Sequence, residues 1–377
     1  MATHDLHITA GRVVCPNTGF DGPGGVAISE GKIAFTGLTL SGKAHLELEY
    51  PDASLFPGLV DLHAHPARGH SKYGIDPDHN YLPRGTTTVM SQGDAGAANW
   101  SEYQKNVIHA SKTRVQMALN LSRSGESTNE GCFSRIDDID VEACIKAIEK
   151  DGANIWGIAV NIASSCCGDT DPHEVMRRAL EAAEGGGVPL LFGPRSPVDW
   201  PLEEQLALLR PGDVITYCFR PDDCRILDEN MHVLKAVRNA RERGILFDAA
   251  HGMNSFSFPI AEAAITDGFL PDTISTDQYK RHVGLQPQHD LPRTISKLIA
   301  AGMPQQEAFS AATVRPAQIL GLDENAGSLA LGTSADLAIL EFNEEAPPLR
   351  DVKGIERPGG CWEPVVTIRA GELIWPS

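Results

Sequence analysis

The chain has 377 residues, 42% of them hydrophobic and 22% charged, which is enough apolar material for a folded core and argues against intrinsic disorder. Lys and Arg number 32 against 50 Asp and Glu, giving a formal net charge of −18. An acidic surface repels phosphate backbones and anionic lipid, so nucleic-acid and membrane partners are not expected. The first residues lack a basic segment followed by an apolar one, and eight cysteines are too few for a disulfide scaffold. We therefore expect a soluble cytoplasmic protein.

The pattern of polar and apolar residues changes twice along the chain. Residues 6–50 alternate polar and apolar side chains between glycines and prolines, as short antiparallel strands do, and the stretch after residue 327 repeats this pattern. Between them, short apolar strands alternate with amphipathic helices, which predicts a parallel sheet. With at least six such units, a (β/α)8 TIM-like barrel is the most economical closure. We predict a barrel over 55–322 and a small β-sandwich domain built from 1–54 together with 323–377.

The elements inside the predicted barrel can be placed individually. The clearest predicted strands are 86–91, 155–160, 189–193, 213–219, 245–250 and 272–276, and the clearest predicted helices are 172–186, 233–244 and 291–302.

The segment FPGLVDLHAHP carries two histidines, His63 and His65, in an H-x-H pattern. Side chains two positions apart on a strand point to the same side. At the C-terminal end of the first barrel strand, both imidazoles would face the mouth of the barrel, where TIM-barrel active sites lie. Two imidazoles in that position form half of a metal site.

Placed after a β-rich N-terminus and before a βα series, this motif resembles the amidohydrolase superfamily of metal-dependent hydrolases. The branch that it resembles contains dihydroorotases, D-aminoacylases and deacetylase-like enzymes. The similarity covers almost the whole chain, including GILFDAAHGMNSFSF at 244–258, LPDTISTDQ at 270–278 and the exit from the barrel after residue 296.

The resemblance implies roles for two further residues. Asp277 stands at the position of the catalytic aspartate, which in the family ligates the metal, takes a proton from the attacking water and passes it to the leaving group. His251 matches a histidine of the deacetylase-like group and is a second candidate catalytic residue. Whether it acts as a ligand, a substrate contact or a transition-state stabiliser stays open.

The departures from the family pattern concern the metal. Most relatives hold two ions bridged by a carboxylated lysine, but Ala159, Gly193 and Tyr217 stand at three of the usual ligand positions. The resemblance therefore implies one divalent ion, held by His63, His65 and Asp277. Zn²⁺ is favoured, while Fe²⁺ and Mn²⁺ also suit such ligands. We expect Tyr217 to present its hydroxyl to substrate.

Three arginines follow predicted strand ends at the mouth: Arg68, Arg195 and Arg220. Arginine pairs with carboxylates through a two-pronged, charge-assisted contact, so these residues predict a carboxylate-bearing small-molecule substrate. The alternative is that each forms a surface ion pair in an acid-rich protein. Asp94, which follows the second barrel strand, is a candidate for binding a substrate amine or for capping a helix.

Two functional hypotheses remain. The first is a metal-dependent hydrolase that cleaves an amide bond of an N-acyl amino acid or cyclic amide, or an acyl ester, by attack of metal-bound water, with Asp277 as general base and then acid. The second is a degenerate relative that binds a metabolite or a protein partner without hydrolysis, as three altered ligand positions suggest. Retention of both histidines and Asp277 favours the hydrolase. Barrels of this group are often oligomeric, so we expect a homo-oligomer.

Overall fold

A computed structural model describes residues 3–128 and 130–376. Strands are β1 (Thr3–Cys15), β2 (Phe20–Ser29), β3 (Lys32–Gly37), β4 (Lys43–Pro57), β5 (Leu59–Ala64), β6 (Thr86–Gly96), β7 (Arg114–Asn120), β8 (Ile155–Asn161), β9 (Leu190–Gly193), β10 (Val214–Ile215), β11 (Leu246–Phe247), β12 (Leu337–Asn343), β13 (Leu349–Arg350), β14 (Glu356–Arg357), β15 (Cys361–Arg369) and β16 (Glu372–Ile374). Helices are α1 (Pro77–Asn80), α2 (Trp100–Tyr103), α3 (Val141–Asp151), α4 (Ser164–Cys167), α5 (Pro172–Gly186), α6 (Leu202–Leu208), α7 (Lys235–Glu242), α8 (Phe258–Thr266), α9 (Leu291–Ala300), α10 (Gln305–Ser310) and α11 (Val314–Ile319).

The two ends of the chain meet in one seven-stranded sheet of order β16-β15-β12-β4-β1-β2-β3. The C-terminal β12 pairs with the N-terminal β4, with Leu55 opposite Ile339. The expected antiparallel arrangement is wrong in one respect, because β1 and β4 run parallel and the sheet is mixed. The predicted β-sandwich is not confirmed. The domain division at residue 54 stays a prediction, and β4 continues past it to Pro57.

The second sheet forms the barrel wall, with β5 to β11 paired in parallel in chain order. The segment 272–278 closes the ring. On one side it receives a hydrogen bond from Ala249 N to Thr273 O (3.0 Å), and on the other Asp277 N donates to His63 O (2.7 Å). The TIM-like prediction therefore fits, but the predicted strand 272–276 makes only isolated bridges to its neighbours.

The closing segment is irregular because hydrogen bonds to a side chain replace some of the backbone hydrogen bonds that a regular strand would make. The buried carboxylate of Asp61 accepts hydrogen bonds from Thr276 N (3.1 Å) and Thr276 Oγ1 (2.5 Å). Immediately afterwards Asp277 adopts a left-handed φ of +47°, which turns its side chain out of the strand pattern. This turn places a carboxylate at the barrel mouth.

Two other barrel strands end earlier than predicted. The sequence predicts strands over 213–219 and 245–250, but β10 and β11 have two residues each. Beyond them the backbone bends through left-handed conformations, with φ of +66° at Tyr217 and +39° at Ala250. Strained backbone of this kind clusters at functional sites. The predicted helix 172–186 is confirmed with its exact bounds as α5, and the other two predicted helices are present in shorter form as α7 and α9.

Apolar side chains fill the lower barrel interior. Six successive strands and α11 contribute to one buried cluster, whose strand members are Val60, Leu62, Met90, Ala118, Ala159, Leu191 and Val214. A separate, larger cluster packs the helices against the outside of the wall. Apolar side chains thus fill the lower end of the barrel, and the polar side chains lie at its upper end. Across residues 3–128 and 130–376, no helix combines the length and apolarity needed to cross a membrane.

Candidate metal centre

Three predicted ligands converge at the upper end of the barrel. His63 and His65 extend from the end of β5, and Asp277 extends from the closing segment. Each offers one ligand atom, and these atoms lie within 4.8 Å of one another. Asp277 Oδ1 lies 3.6 Å from His63 Nε2 and 3.4 Å from His65 Nε2. Both histidines are buried, while the Asp277 side chain keeps 13% of its surface exposed, so the cluster is reached from the mouth.

These separations fit a small divalent ion. In a tetrahedral site with bonds of ~2.1 Å, neighbouring ligand atoms stand ~3.4 Å apart. Two imidazole nitrogens and one carboxylate leave a fourth position free, as catalytic zinc sites do. The same set also matches the facial triad of non-haem iron, so the ligands alone do not select the metal.

The orientation of the His63 ring is fixed by a hydrogen bond at Nδ1, the ring nitrogen that faces away from Asp277. Its Nδ1 lies 2.9 Å from Thr216 Oγ1, and that hydroxyl donates to Asp248 Oδ2 at 3.0 Å. Because Thr216 uses its proton on Asp248, it accepts from Nδ1–H, and the lone pair of Nε2 faces Asp277. Asp248 is itself buried and also accepts from the hydroxyls of Thr273 and Ser275, both at 2.7 Å. Outer partners of this kind hold metal ligands in place.

His65 has a carboxylate partner of its own. Its Nδ1 lies 2.9 Å from Asp94 Oδ1, and the hydroxyls of Ser71 (2.5 Å) and Ser91 (2.6 Å) also donate to Asp94. Burial disfavours the charged imidazolium, but Asp94 and Asp277 outweigh it and raise the pKa of His65 to about 10. The surroundings of Nε2 therefore favour positive charge. Asp94 has neither role considered from the sequence, since it orients a histidine.

Tyr217 lies beside His63. Its hydroxyl is 3.3 Å from His63 Nε2, and burial raises its pKa well above the ordinary value, so the phenol stays protonated. The hydroxyl is therefore a hydrogen-bond donor at the edge of the cluster, and its contact with substrate stays a prediction. Of the other altered ligand positions, Ala159 belongs to the buried barrel cluster and Gly193 faces the Asn161 side chain.

The structure does not bring His251 into the cluster. Its Nδ1 lies 2.7 Å from Gly252 O and its Nε2 lies 2.8 Å from Lys297 Nζ, so both ring nitrogens are engaged. The ring stacks on Phe256 at a centroid distance of 4.9 Å. Because the Nδ1 proton is donated to Gly252, Nε2 accepts from the lysine. His251 is consequently a buried support between the closing segment and α9.

The three predicted arginines each have a carboxylate partner. Arg68 pairs with Asp76 and Asp78, Arg195 pairs with Asp199, and Arg220 pairs with Asp222. Arg220 differs from the others because its guanidinium also lies over the ring of Tyr217, 5.9 Å from the centroid. It is the arginine that the structure connects to the cluster.

Lys297 leads to a prediction about stability. Burial first, and then Arg293, lower its pKa from the ordinary lysine value of 10.5 to about 7. Between pH 7 and 10.5 the folded protein binds fewer protons than the unfolded chain, so this group makes stability rise with pH. Replacing a buried charged group by an apolar one of similar length is expected to raise the free energy of unfolding at pH 6 by roughly 2 kcal/mol. Lys297→Met should also remove the corresponding slope between pH 7 and 10 in denaturant unfolding.

The exposed Lys146, which pairs with Glu142, provides the control. Lys146→Met should leave both the free energy of unfolding and its pH dependence within about 0.5 kcal/mol of the parent. A Lys297→Met protein that unfolds more easily than the parent at pH 6 would contradict the account.

The chain has clear relatives among known proteins. Residues 216–373 match the Amidohydrolase family. A deacetylase from Brucella anthropi is 31% identical over 355 residues, covering 92% of this chain and 87% of the relative. A deacetylase from Enterococcus faecalis is 31% identical over 358 residues, covering 92% and 94%. The chain belongs to the amidohydrolase family. It is a hydrolase that acts on C–N bonds.

Solved structures of other amidohydrolases share the whole architecture. The crystal structure of an adenine deaminase superposes with a TM-score of 0.87 at 30% identity, covering 98% of this chain and 99% of that one. A dihydroorotase superposes with a TM-score of 0.85 at 29% identity, covering 99% of each chain. The names of these relatives differ in substrate, so the substrate must be argued from the site.

Proposed function

We propose that this amidohydrolase is a metal-dependent hydrolase that cleaves the amide bond of an N-acyl amino acid or of a cyclic amide, or an acyl ester bond. The convergence of His63 Nε2, His65 Nε2 and Asp277 Oδ1 supports the proposal more than any other observation. A divalent ion held there would polarise the substrate carbonyl and make water acidic enough to act as a nucleophile near neutral pH. Similarity to the two deacetylases supports acyl transfer to water over deamination.

Asp277 provides the proton transfer. Its Oδ1 faces both histidines, and its side chain is open to the mouth, so a water or a leaving amine can reach the carboxylate. A carboxylate in hydrogen-bond reach of both can take a proton from the nucleophile and return it to the departing nitrogen. The left-handed backbone at Asp277 holds the group in this position.

Tyr217 provides a donor for the substrate oxygen. The phenol stays protonated, and its hydroxyl lies next to His63 Nε2, at the edge where a carbonyl would approach. A fixed donor aimed at a developing negative charge lowers the barrier without reorganisation. The chain therefore carries, on three elements of the barrel, a ligand pair, a base and a donor.

Arg220 is proposed to bind a carboxylate of the substrate. Replacing it with methionine should raise KM for an N-acetyl amino acid by about tenfold and leave kcat unchanged, as loss of uniform binding does. Arg195→Met is the matched control, because Arg195 donates to Ile162 O and pairs with Asp199 without any contact to Tyr217. Steady-state kinetics would count against this role of Arg220 if both variants changed KM equally.

The general test is a substrate screen. Release of acetate from N-acetyl amino acids, ring opening of cyclic amides and cleavage of acetyl esters should be followed with protein supplied with Zn²⁺, Mn²⁺ or Fe²⁺. Turnover of at least one class, absent from His63→Ala, is expected. Turnover that persists in His63→Ala would overturn the proposed centre.

A further inference from the structure

A cavity of about 530 Å³ lies behind the metal centre and takes no part in the mechanism above. Its inner wall comes from Gly252 and from α9, and its outer wall comes from the loop around Pro347 and Val352. A Cβ atom placed on Gly252 would lie 2.5 Å from Asp277 Oδ2. One strand of backbone therefore separates this cavity from the proposed base.

Two cations of α9 line the cavity one helical turn apart. Arg293 and Lys297 have only 9% and 6% of their surface exposed, and residues four apart share one face of a helix. Within residues 3–128 and 130–376, neither side chain has a carboxylate at ion-pair distance. Burying a charge without a partner is costly, so the guanidinium of Arg293, and below pH 7 the ammonium of Lys297 beside it, require an explanation.

The acidic groups nearby are already engaged. Asp290 pairs with Arg84. The Asp351 carboxylate accepts backbone N–H groups of Phe258 (3.0 Å), Lys353 (2.8 Å) and Ile355 (2.9 Å). Glu356 pairs with Arg350. Among the described residues, none of these carboxylates lies at ion-pair distance from Arg293 or Lys297.

Several donors in the cavity have no acceptor in the described chain. Lys297 donates to His251 Nε2, which uses one of the three protons of its ammonium. His282 accepts a hydrogen bond from Tyr279 N at Nδ1 (3.1 Å), so its proton is on Nε2. That Nε2 is buried without a partner, and only 2% of the His282 surface is exposed. Guanidinium, ammonium and imidazole donors thus surround one space.

The apolar part of the lining comprises Met253, Leu285, Pro287, Pro347 and Val352, and further polar residues, among them Gln286, Gln288 and Arg350, also line the cavity. A cavity of several hundred cubic ångströms with mostly apolar walls and a few convergent polar groups is typical of small-molecule sites. The volume exceeds what a bare ion needs. The combination suits a ligand with one anionic end and an apolar body.

We propose that this cavity is a binding site for an organic carboxylate, whose head group lies between Arg293 and Lys297 and whose apolar body lies against Met253 and Pro347. The carboxylate accepts from the two cations and from His282 Nε2–H. Binding at this site does not depend on the hydrolysis proposed above.

Isothermal titration calorimetry on the full-length protein tests the proposal with three probes: 3-phenylpropionate, its uncharged amide 3-phenylpropionamide, and inorganic phosphate. The carboxylate should bind at least tenfold more tightly than the amide and than phosphate, because only it satisfies both the cations and the apolar wall. Arg293→Gln and Lys297→Met should each weaken 3-phenylpropionate binding by about tenfold, the scale of one charge-assisted hydrogen bond.

Arg195→Met is the matched control, because Arg195 pairs with Asp199 and does not line this cavity, and it should leave the affinity unchanged. Arg293→Lys, which keeps the charge, should retain most of the affinity and shows that Arg293→Gln acts through charge. Three results would overturn the proposal: no binding to the parent protein, equal binding of carboxylate and amide, or affinity lost in Arg220→Met but kept in Arg293→Gln. Phosphate binding as tight as the carboxylate would overturn the ligand class.

Discussion

Asp277→Asn is expected to lower turnover by at least ~10²-fold, the scale of general acid–base catalysis. The substitution keeps the size of the side chain and one oxygen that can ligate, but removes the group that accepts the proton. Metal content should therefore fall less than in His63→Ala, which loses a nitrogen ligand outright. Steady-state kinetics on a substrate from the screen, together with elemental analysis of both variants, measure the two effects separately.

Asp213→Asn is the matched control, because Asp213 is a buried carboxylate at the start of β10 and bonds to Arg210, at the opposite end of the barrel from the mouth. It should keep its turnover even if it loses stability. Near-parental turnover of Asp277→Asn with its metal retained would remove Asp277 from the mechanism.

Asp94→Asn should weaken binding of the divalent ion by ~10–100-fold, as loss of an outer-shell partner does. The carboxylate orients His65 through its Nδ1 and, with Asp277, makes positive charge favourable at Nε2. An asparagine can keep the hydrogen bond but not the charge. Competition for Zn²⁺ against a chromophoric chelator gives the affinity directly.

Asp336→Asn serves as the control for that measurement. Asp336 is as buried as Asp94 and pairs with Arg114 and Arg369 beside the terminal sheet, so its loss should lower stability without changing the affinity for the ion. If Asp94→Asn binds Zn²⁺ as tightly as the parent protein does, the charge of Asp94 has no part in the centre.

The convergence of His63, His65 and Asp277 could be predicted from the sequence, while their role as metal ligands stays a prediction. His63 and His65 follow from period-two alternation, and Asp277 follows from similarity to the family. The barrel was predictable from the alternation of strands and helices. The irregularity of the closing segment 272–278 could not be predicted. It depends on hydrogen bonds from Thr276 to the carboxylate of Asp61 on the adjacent β5, and these contacts are set by tertiary structure.

The supporting residues could not be assigned from one sequence. Thr216 follows β10 and Asp248 follows β11, and only closure of the barrel brings them next to His63. The sequence carries one indication of such residues, because a polar residue next to a buried apolar strand needs a buried hydrogen-bond partner. Lys297 gave no such signal, since a lysine in an amphipathic helix ordinarily faces solvent, whereas here it is buried and lines the cavity that Pro347 also lines.

Stepwise return of metal to stripped protein tests the proposed centre most directly. Zn²⁺ or Mn²⁺ should be added to the chelator-treated enzyme while bound metal and hydrolysis of the screened substrate are measured together. The account predicts that activity rises in proportion to occupancy and is complete at about one ion per chain, with neither binding nor activity recovered in a His63→Ala, His65→Ala double variant. Full hydrolysis by the stripped protein, or undiminished metal binding by the double variant, would contradict it.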